Sequence, residues 1–259
     1  MASNKKLTFQ KREFRGSRYR CLLATSQPHP AVAAFINSLT PDEVSVTEKH
    51  HWAPQGFLSA DEAKLAETKG FLSKTNRKKL ESWWLAKPGR ANTPNWDLVS
   101  TCDYGGKSGL VLVEAKAHVE EFADDRCGAK NRENSNRINK AISEANDAWN
   151  AITPGFSLSV DSKYQLSNRF AFAWKVASLG IPVVLIYLGF LNAAEMRGSG
   201  RKLLAHHSDW ESCVTKGGES RVPREAWNRT FDINGTPLTT IIQSAQVDIH
   251  ALCTKGKPA

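Results

Sequence analysis

The sequence has no CxxC pair: its five cysteines, Cys21, Cys102, Cys127, Cys213 and Cys253, are scattered and odd in number. A disulfide scaffold or a zinc ribbon needs closer and more regular spacing, so reduced thiols in a cytoplasmic protein are the plainest reading. Long apolar runs are missing too. The longest, 181–191, has eleven residues and contains Pro182 and Gly189, far short of the roughly 20 that cross a bilayer, so no membrane partner is expected. The first twenty residues lack the apolar stretch of a secretory signal. They are also too poor in apolar residues to form the helical face of a transit peptide, which leaves a basic arm as the better reading. There is no P-loop, dinucleotide fingerprint or GxSxG elbow, no internal repeat and no long linker rich in Gly, Ser or Pro. His206 and His207 are adjacent without a helix-spaced acidic partner, so they do not read as a zinc site.

Acid is the scarcer charge. Across 259 residues, 26 Asp and Glu face 35 Lys and Arg, a formal net charge of +9. Such an excess suggests a polyanionic partner and names none. It is densest at 1–20, where Lys5, Lys6, Lys11, Arg12, Arg15, Arg18 and Arg20 stand against Glu13 alone. That run reads either as a solvated tail or as an arm that clamps a phosphate backbone. The remainder, 21–259, reads as one folded domain. Hydrophobic residues make up 41% of the chain and charged residues 24%, enough apolar material for a substantial core and too much for a disordered chain.

Periodicity supplies the elements. A short helix is expected at 30–39, with Val32, Phe35, Ile36 and Leu39 on one stripe. Ser59 followed by Glu62 has the form of a capping box, predicting a helix at 59–68. A third is expected at 73–86, burying Leu80, Trp83 and Trp84 and ending before Pro88. Two strand-like runs, 96–102 and 109–117, flank Gly105-Gly106, the mark of a hairpin. Helices follow at 133–150 and 165–179. The unbroken apolar run at 182–190 reads as a strand buried on both faces. Further helix candidates lie at 207–215 and 223–228, and 238–249 fits helix or strand. This order is α/β, with a mixed central sheet flanked by helices.

The hairpin carries the chemistry. With a two-residue turn at Gly105-Gly106, Tyr104 faces Lys107 and Asp97 faces Glu114. Glu114 and Lys116 are two apart in a strand and share a face. Two facing carboxylates repel, and if buried they must either keep a proton or take up a cation. Oxygen-only ligation suits Mg²⁺, with Mn²⁺ as a substitute. The ligands would be Asp97, Glu114, the Ala115 carbonyl and waters. Lys116 would orient or deprotonate a bound water, or stabilise charge developing on a phosphate. An exposed hairpin with a surface Glu114–Lys116 pair is the plain structural alternative. The very apolar Leu110-Val111-Leu112-Val113 ahead of Glu114 argues for a core strand instead. Trp96, beside Asp97, suits a core position or a base-stacking one, and His118 suits a packing role.

Pro94-Asn95-Trp96-Asp97 and Glu114-Ala115-Lys116 together resemble the two motifs of the PD-(D/E)xK nuclease superfamily, the restriction-endonuclease-like fold. Two residues separate Pro94 from Asp97, where the literal motif has none. The resemblance covers about 73–190 and leaves out the N-terminal arm and 191–259. It implies a Mg²⁺-dependent endonuclease that hydrolyses DNA phosphodiesters, duplex DNA first, in a restriction or defence setting. A homodimer would let such an enzyme reach both strands. Glu81, on the helix before the hairpin, matches the place of a further metal ligand in the family, and equally suits a solvated acid on a basic helix. Gln165 and Arg169 lie on the helix from which, by the same resemblance, a side chain approaches the metal-bound phosphate. A nucleic-acid-binding module without catalysis, a nuclease for RNA or branched DNA, and a basic scaffold protein are the alternatives.

Overall fold

The computed structural model describes residues 15–89 and 91–249. In chain order, the elements begin with helices α1 (Gly16–Thr25) and α2 (His29–Asn37). Three two-residue strands follow, β1 (Val44–Ser45), β2 (Trp52–Ala53) and β3 (Ala63–Lys64), and then helix α3 (Lys74–Trp84). Next come β4 (Asn95–Trp96), β5 (Leu98–Tyr104), β6 (Lys107–Lys116), α4 (Arg132–Ile152), α5 (Tyr164–Ser178) and β7 (Val183–Phe190). Helix α6 (His207–Gly218) and strands β8 (Arg229–Ile233) and β9 (Thr236–Ala245) complete the set.

The main sheet runs β1-β5-β6-β7-β9-β8, with β2 also on the outer edge of β5. β5 and β6 are antiparallel, β6–β7 and β7–β9 parallel, and β8–β9 antiparallel. The protein is therefore mixed α/β. Both faces of the sheet are covered, which is why β7 needs no polar alternation: all eight of its residues are buried. One face packs Leu110, Leu112, Leu185 and Tyr187 under α3, α4 and α5, with Trp84, Trp149 and Phe170 at its centre. The other packs Val111, Val113, Ala115, Ile186 and Leu188 against α1 and α2.

Local chemistry explains the site-bearing elements. Gly105 and Gly106 both take positive φ, 55° and 79°, as a two-residue hairpin turn requires, and Asp103 Oδ1 accepts the Gly106 N–H at 2.8 Å. The hairpin has the register expected of it: Tyr104 opposes Lys107 and Leu98 opposes Val113. Ser73 caps α3 by accepting the Asn76 N–H at 3.2 Å, and Asn131 caps α4 through Asn134 at 3.0 Å.

Three expectations are corrected. No helix forms at 59–68: the stretch holds β3 and turns, and Glu62 bonds to Asn95 and Arg18 rather than to a helix start. The basic run at 1–20 is not an arm throughout, because from Gly16 it is the buried helix α1, which carries Cys21, Leu22 and Leu23 into the core; residues 1–14 lie outside the described ones. Arg20 is 2% exposed and forms a two-bond ion pair with Glu195. The stretch at 223–228 forms only a short turn at Arg224–Ala226, and 238–249 resolves as strand β9. Because β8 and β9 join the sheet, the core continues well beyond 190. Cys21, Cys102, Cys127 and Cys213 are free thiols, and Cys253 lies outside the described residues. Among the described residues no helix is long and apolar enough to cross a membrane.

Candidate active site

The ladder between β5 and β6 ends at Leu98–Val113, because the chain before Leu98 turns away to pair β4 with β3. That departure releases the backbone of Ala115 on the β5 side. Its N–H bonds instead to Asp97 Oδ2 at 2.7 Å. A strand residue directs its N–H and C=O to the same side, so the Ala115 carbonyl shares this edge with Asp97. Asp97 thus arrives beside Glu114, the partner expected for it, through a bend rather than through the ladder itself.

Glu114 and Lys116 project to the face covered by α5. Glu114 is 1% exposed and Lys116 7%. Lys116 Nζ donates to Glu114 Oε1, and to Gln165 Oε1 at 2.7 Å. The other oxygen, Glu114 Oε2, receives Arg169 Nε at 2.6 Å. Gln165 is brought here by its position in the first turn of α5, whose start is fixed by the Asp125 carboxylate accepting the Gln165 N–H at 3.0 Å. Asp97, Glu114, Lys116, Gln165 and Arg169 therefore form one cluster drawn from the bend between β4 and β5, from β6 and from α5. Asp97 and Gln165 keep part of their surface in water, so the cluster opens at their end.

The electrostatics of the two carboxylates differ. Burial by itself would raise the Glu114 carboxyl, but the Arg169 and Lys116 charges overrule it and hold the group below the ordinary value. Asp97 has no ion pair within 4.0 Å among the described residues. Burial first, and then the Glu114 charge, push it up to about 8. Burial pulls the Lys116 ammonium down; Glu114 and then Asp97 reverse this and leave it above its usual value, firmly protonated.

The donors fit a hard divalent cation: two carboxylates of different charge burden, one of them without an ion pair within 4.0 Å among the described residues, and a backbone carbonyl on the same edge. They do not amount to a full cage. Among the described residues no group of three or more His, Cys, Asp or Glu side chains gathers where it could hold an ion. The site offers two carboxylates, and solvent would have to supply the rest.

Glu81 does not join the cluster. It lies on α3, whose neighbour is α4, as the Trp83 Nε1 bond to Glu144 at 3.0 Å marks, and among the described residues no hydrogen bond joins it to Asp97 or Glu114, nor does its charge figure among the causes that shift either. The acid that does reach the site's rim is Glu62. It accepts Asn95 Nδ2 at 3.0 Å, lies 3.6 Å from Arg18, and its charge contributes to the raised state of Asp97. Only the β3–β4 pairing brings it there, and no spacing in the sequence announces that pairing. Trp96 is fully buried, with the Arg169 guanidinium 4.5 Å over its ring, so it is core and not a base-stacking platform. His118, also buried, bonds to Glu120 at 3.1 Å and approaches Glu121 at 3.4 Å, away from Lys116. Comparison with family models, curated proteins and solved structures finds no match to the chain.

Proposed function

We propose that the chain is a metal-dependent nuclease of the restriction-endonuclease-like fold that hydrolyses DNA phosphodiesters, duplex DNA first. The observation that carries this reading is the convergence of Asp97, Glu114, Lys116 and Gln165 at one partly open point. There the half-buried Asp97 carboxylate makes no ion pair within 4.0 Å among the described residues and is held in its protonated form by burial and by Glu114. A purely structural hairpin has no use for that arrangement, which costs folding energy.

Asp97, Glu114 and the Ala115 carbonyl would hold Mg²⁺, or Mn²⁺ in its place. The ion would polarise a phosphoryl oxygen and lower the pKa of a bound water. Lys116 would orient or deprotonate the attacking water, or stabilise charge developing on the phosphate. Gln165 fixes the ammonium through its 2.7 Å bond. Exposed Lys74, Lys78 and Lys79 on α3 would add sequence-independent, salt-sensitive attraction for the phosphate backbone. A restriction-type or defence role in the cytoplasm, in a homodimer that cuts both strands, follows from the same resemblance.

One observation favours a second reading, a binding module of the same fold without catalysis. Both Glu114 oxygens are already engaged by cations of the chain itself. A substrate panel separates the two. Plasmid, linear duplex, single-stranded and branched DNA and RNA are incubated with Mg²⁺, Mn²⁺ or EDTA, with binding followed in parallel. Metal-dependent cleavage of duplex DNA supports the nuclease, binding without cleavage supports the module, and cleavage confined to RNA or branched DNA corrects the substrate.

A further inference from the structure

The resemblance offers Arg169, beside Gln165, as a side chain that approaches the phosphate, and its surroundings give it other work. The side chain is 4% exposed and every nitrogen is engaged. Nε donates to Glu114 Oε2 at 2.6 Å, and Nη2 lies 2.5 Å from the same oxygen. Nη2 also donates to the Asn95 carbonyl at 2.6 Å, and Nη1 to Asn168 Oδ1 at 2.7 Å. The plane lies over the Trp96 ring. Four of its five N–H groups are thereby committed inside the protein.

The two groups it grips are the frames of the two acids. Glu114 is one of them. Asn95 and Trp96 are the two residues immediately before Asp97, in the short strand that has left the β5–β6 ladder. With no ladder bond at this point, nothing in the sheet itself sets the distance between the Asp97 backbone and the Glu114 side chain. A planar guanidinium with donors in fixed directions does set it. It holds Glu114 by Oε2 alone, so that Oε1 is the oxygen turned to Lys116, and it ties that carboxylate to the carbonyl two residues before Asp97.

We propose that Arg169 is the positioning residue of this site: its guanidinium locks the Glu114 carboxylate and the Asn95–Trp96 backbone into one rigid unit, so that Asp97 and Glu114 are presented together to a divalent cation. The proposal rests on the nuclease reading and deepens it. Charge is not the essential property. A lysine at 169 would supply an ammonium to Glu114 but could not hold the Asn95 carbonyl and the Trp96 face as well.

The test uses the full chain, with Arg169→Lys and the milder Asn168→Ala, which removes one holder of the guanidinium and leaves Glu114 its partner. Mn²⁺ affinity per folded molecule is measured by calorimetry, and duplex cleavage is measured against Mn²⁺ concentration. Arg169→Lys is expected to weaken Mn²⁺ binding by about 10- to 100-fold and to lower the cleavage rate at saturating Mn²⁺ by a similar factor, with Asn168→Ala shifting both in the same direction by less. A merely structural role would lower thermal stability and leave the Mn²⁺ affinity of the folded fraction unchanged. Wild-type affinity and rate in Arg169→Lys overturn the proposal while the nuclease reading stands. If Arg169→Lys fails to fold, Asn168→Ala decides by the same criterion. A wild-type protein that neither binds Mn²⁺ nor cleaves any nucleic acid overturns the nuclease reading, and the positioning role falls with it.

Discussion

Asp97 accepts the backbone N–H of Ala115 at 2.7 Å, the amide that lies between Glu114 and Lys116 in the chain. One hydrogen bond thus joins the acid in the bend before β5 to the strand that carries the second acid and the lysine, at the point where the β5–β6 ladder gives out. Its electrostatic consequence is measurable without any substrate.

In the native protein Asp97 keeps its proton up to about pH 8, whereas the unfolded chain releases it near the ordinary value of 3.8. Between these values the native state binds more protons than the unfolded state, so stability falls as pH rises and levels off above the native value. In EDTA, denaturant titrations at about pH 5 and about pH 8 should show stability declining by a few kcal/mol, the exposed part of the carboxylate moderating the loss. Asp97→Asn should flatten that decline and be the more stable protein at the higher pH. Mg²⁺ should restore stability to the wild type at about pH 8 and leave Asp97→Asn unmoved. An equal decline in both proteins would contradict the assignment.

The Arg20–Glu195 pair ties α1 to the turn after β7, with Arg20 2% exposed and Glu195 16%. Removing the acid strands a buried guanidinium, for which a loss of about 3–5 kcal/mol is expected in Glu195→Ala. Lys175–Glu144 at 2.9 Å is a more exposed pair, and Glu144→Ala should cost no more than about 1 kcal/mol from that pair, besides what the lost Trp83 bond adds. Urea titration of the two variants compares them directly. Equal small losses would show that α1 is not held by this pair.

Gly189 lies beside Lys116 in the parallel β6–β7 register, with Trp210 packed on it. A Cβ there would lie 2.4 Å from Trp210 Cγ, which no native packing tolerates. Gly189→Ala should therefore destabilise by about 1–3 kcal/mol through overpacking. Displacement of Trp210, whose Nε1 bonds to the Tyr187 carbonyl at 2.9 Å, should also be visible as a change in tryptophan fluorescence. An unaltered melting midpoint and spectrum would refute this packing.

Much of this arrangement is legible in the sequence, and the reasons are local. The register of the hairpin, from Tyr104 opposite Lys107 to Leu98 opposite Val113, follows from the two glycines at 105 and 106, because a two-residue turn leaves one pairing; the bend that then carries Asp97 to the Ala115 amide does not. Helices α3 and α4 announce themselves by their apolar stripes, α5 by its more apolar composition, and β7 by its lack of polar residues. What escapes is decided by partners distant in the chain. Ser59 and Glu62 have the spacing of a capping box, but Glu62 is claimed by Asn95 and Arg18. Arg20 reads as one charge among many in a basic tail until Glu195, 175 residues away, pairs with it. Gln165 and Arg169 can be named from their place on a helix, but only the packing of α5 on the hairpin separates the one that holds Lys116 from the one that holds Glu114.

The most direct test of the account is nicking of supercoiled plasmid by purified wild-type protein in Mg²⁺ and in EDTA, beside Glu114→Ala and Lys116→Ala. The expected result is cleavage by the wild type that requires Mg²⁺ and falls by at least about 10²-fold in each variant, with all three proteins folded by circular dichroism. Cleavage that persists in EDTA, or that survives both substitutions, would contradict it.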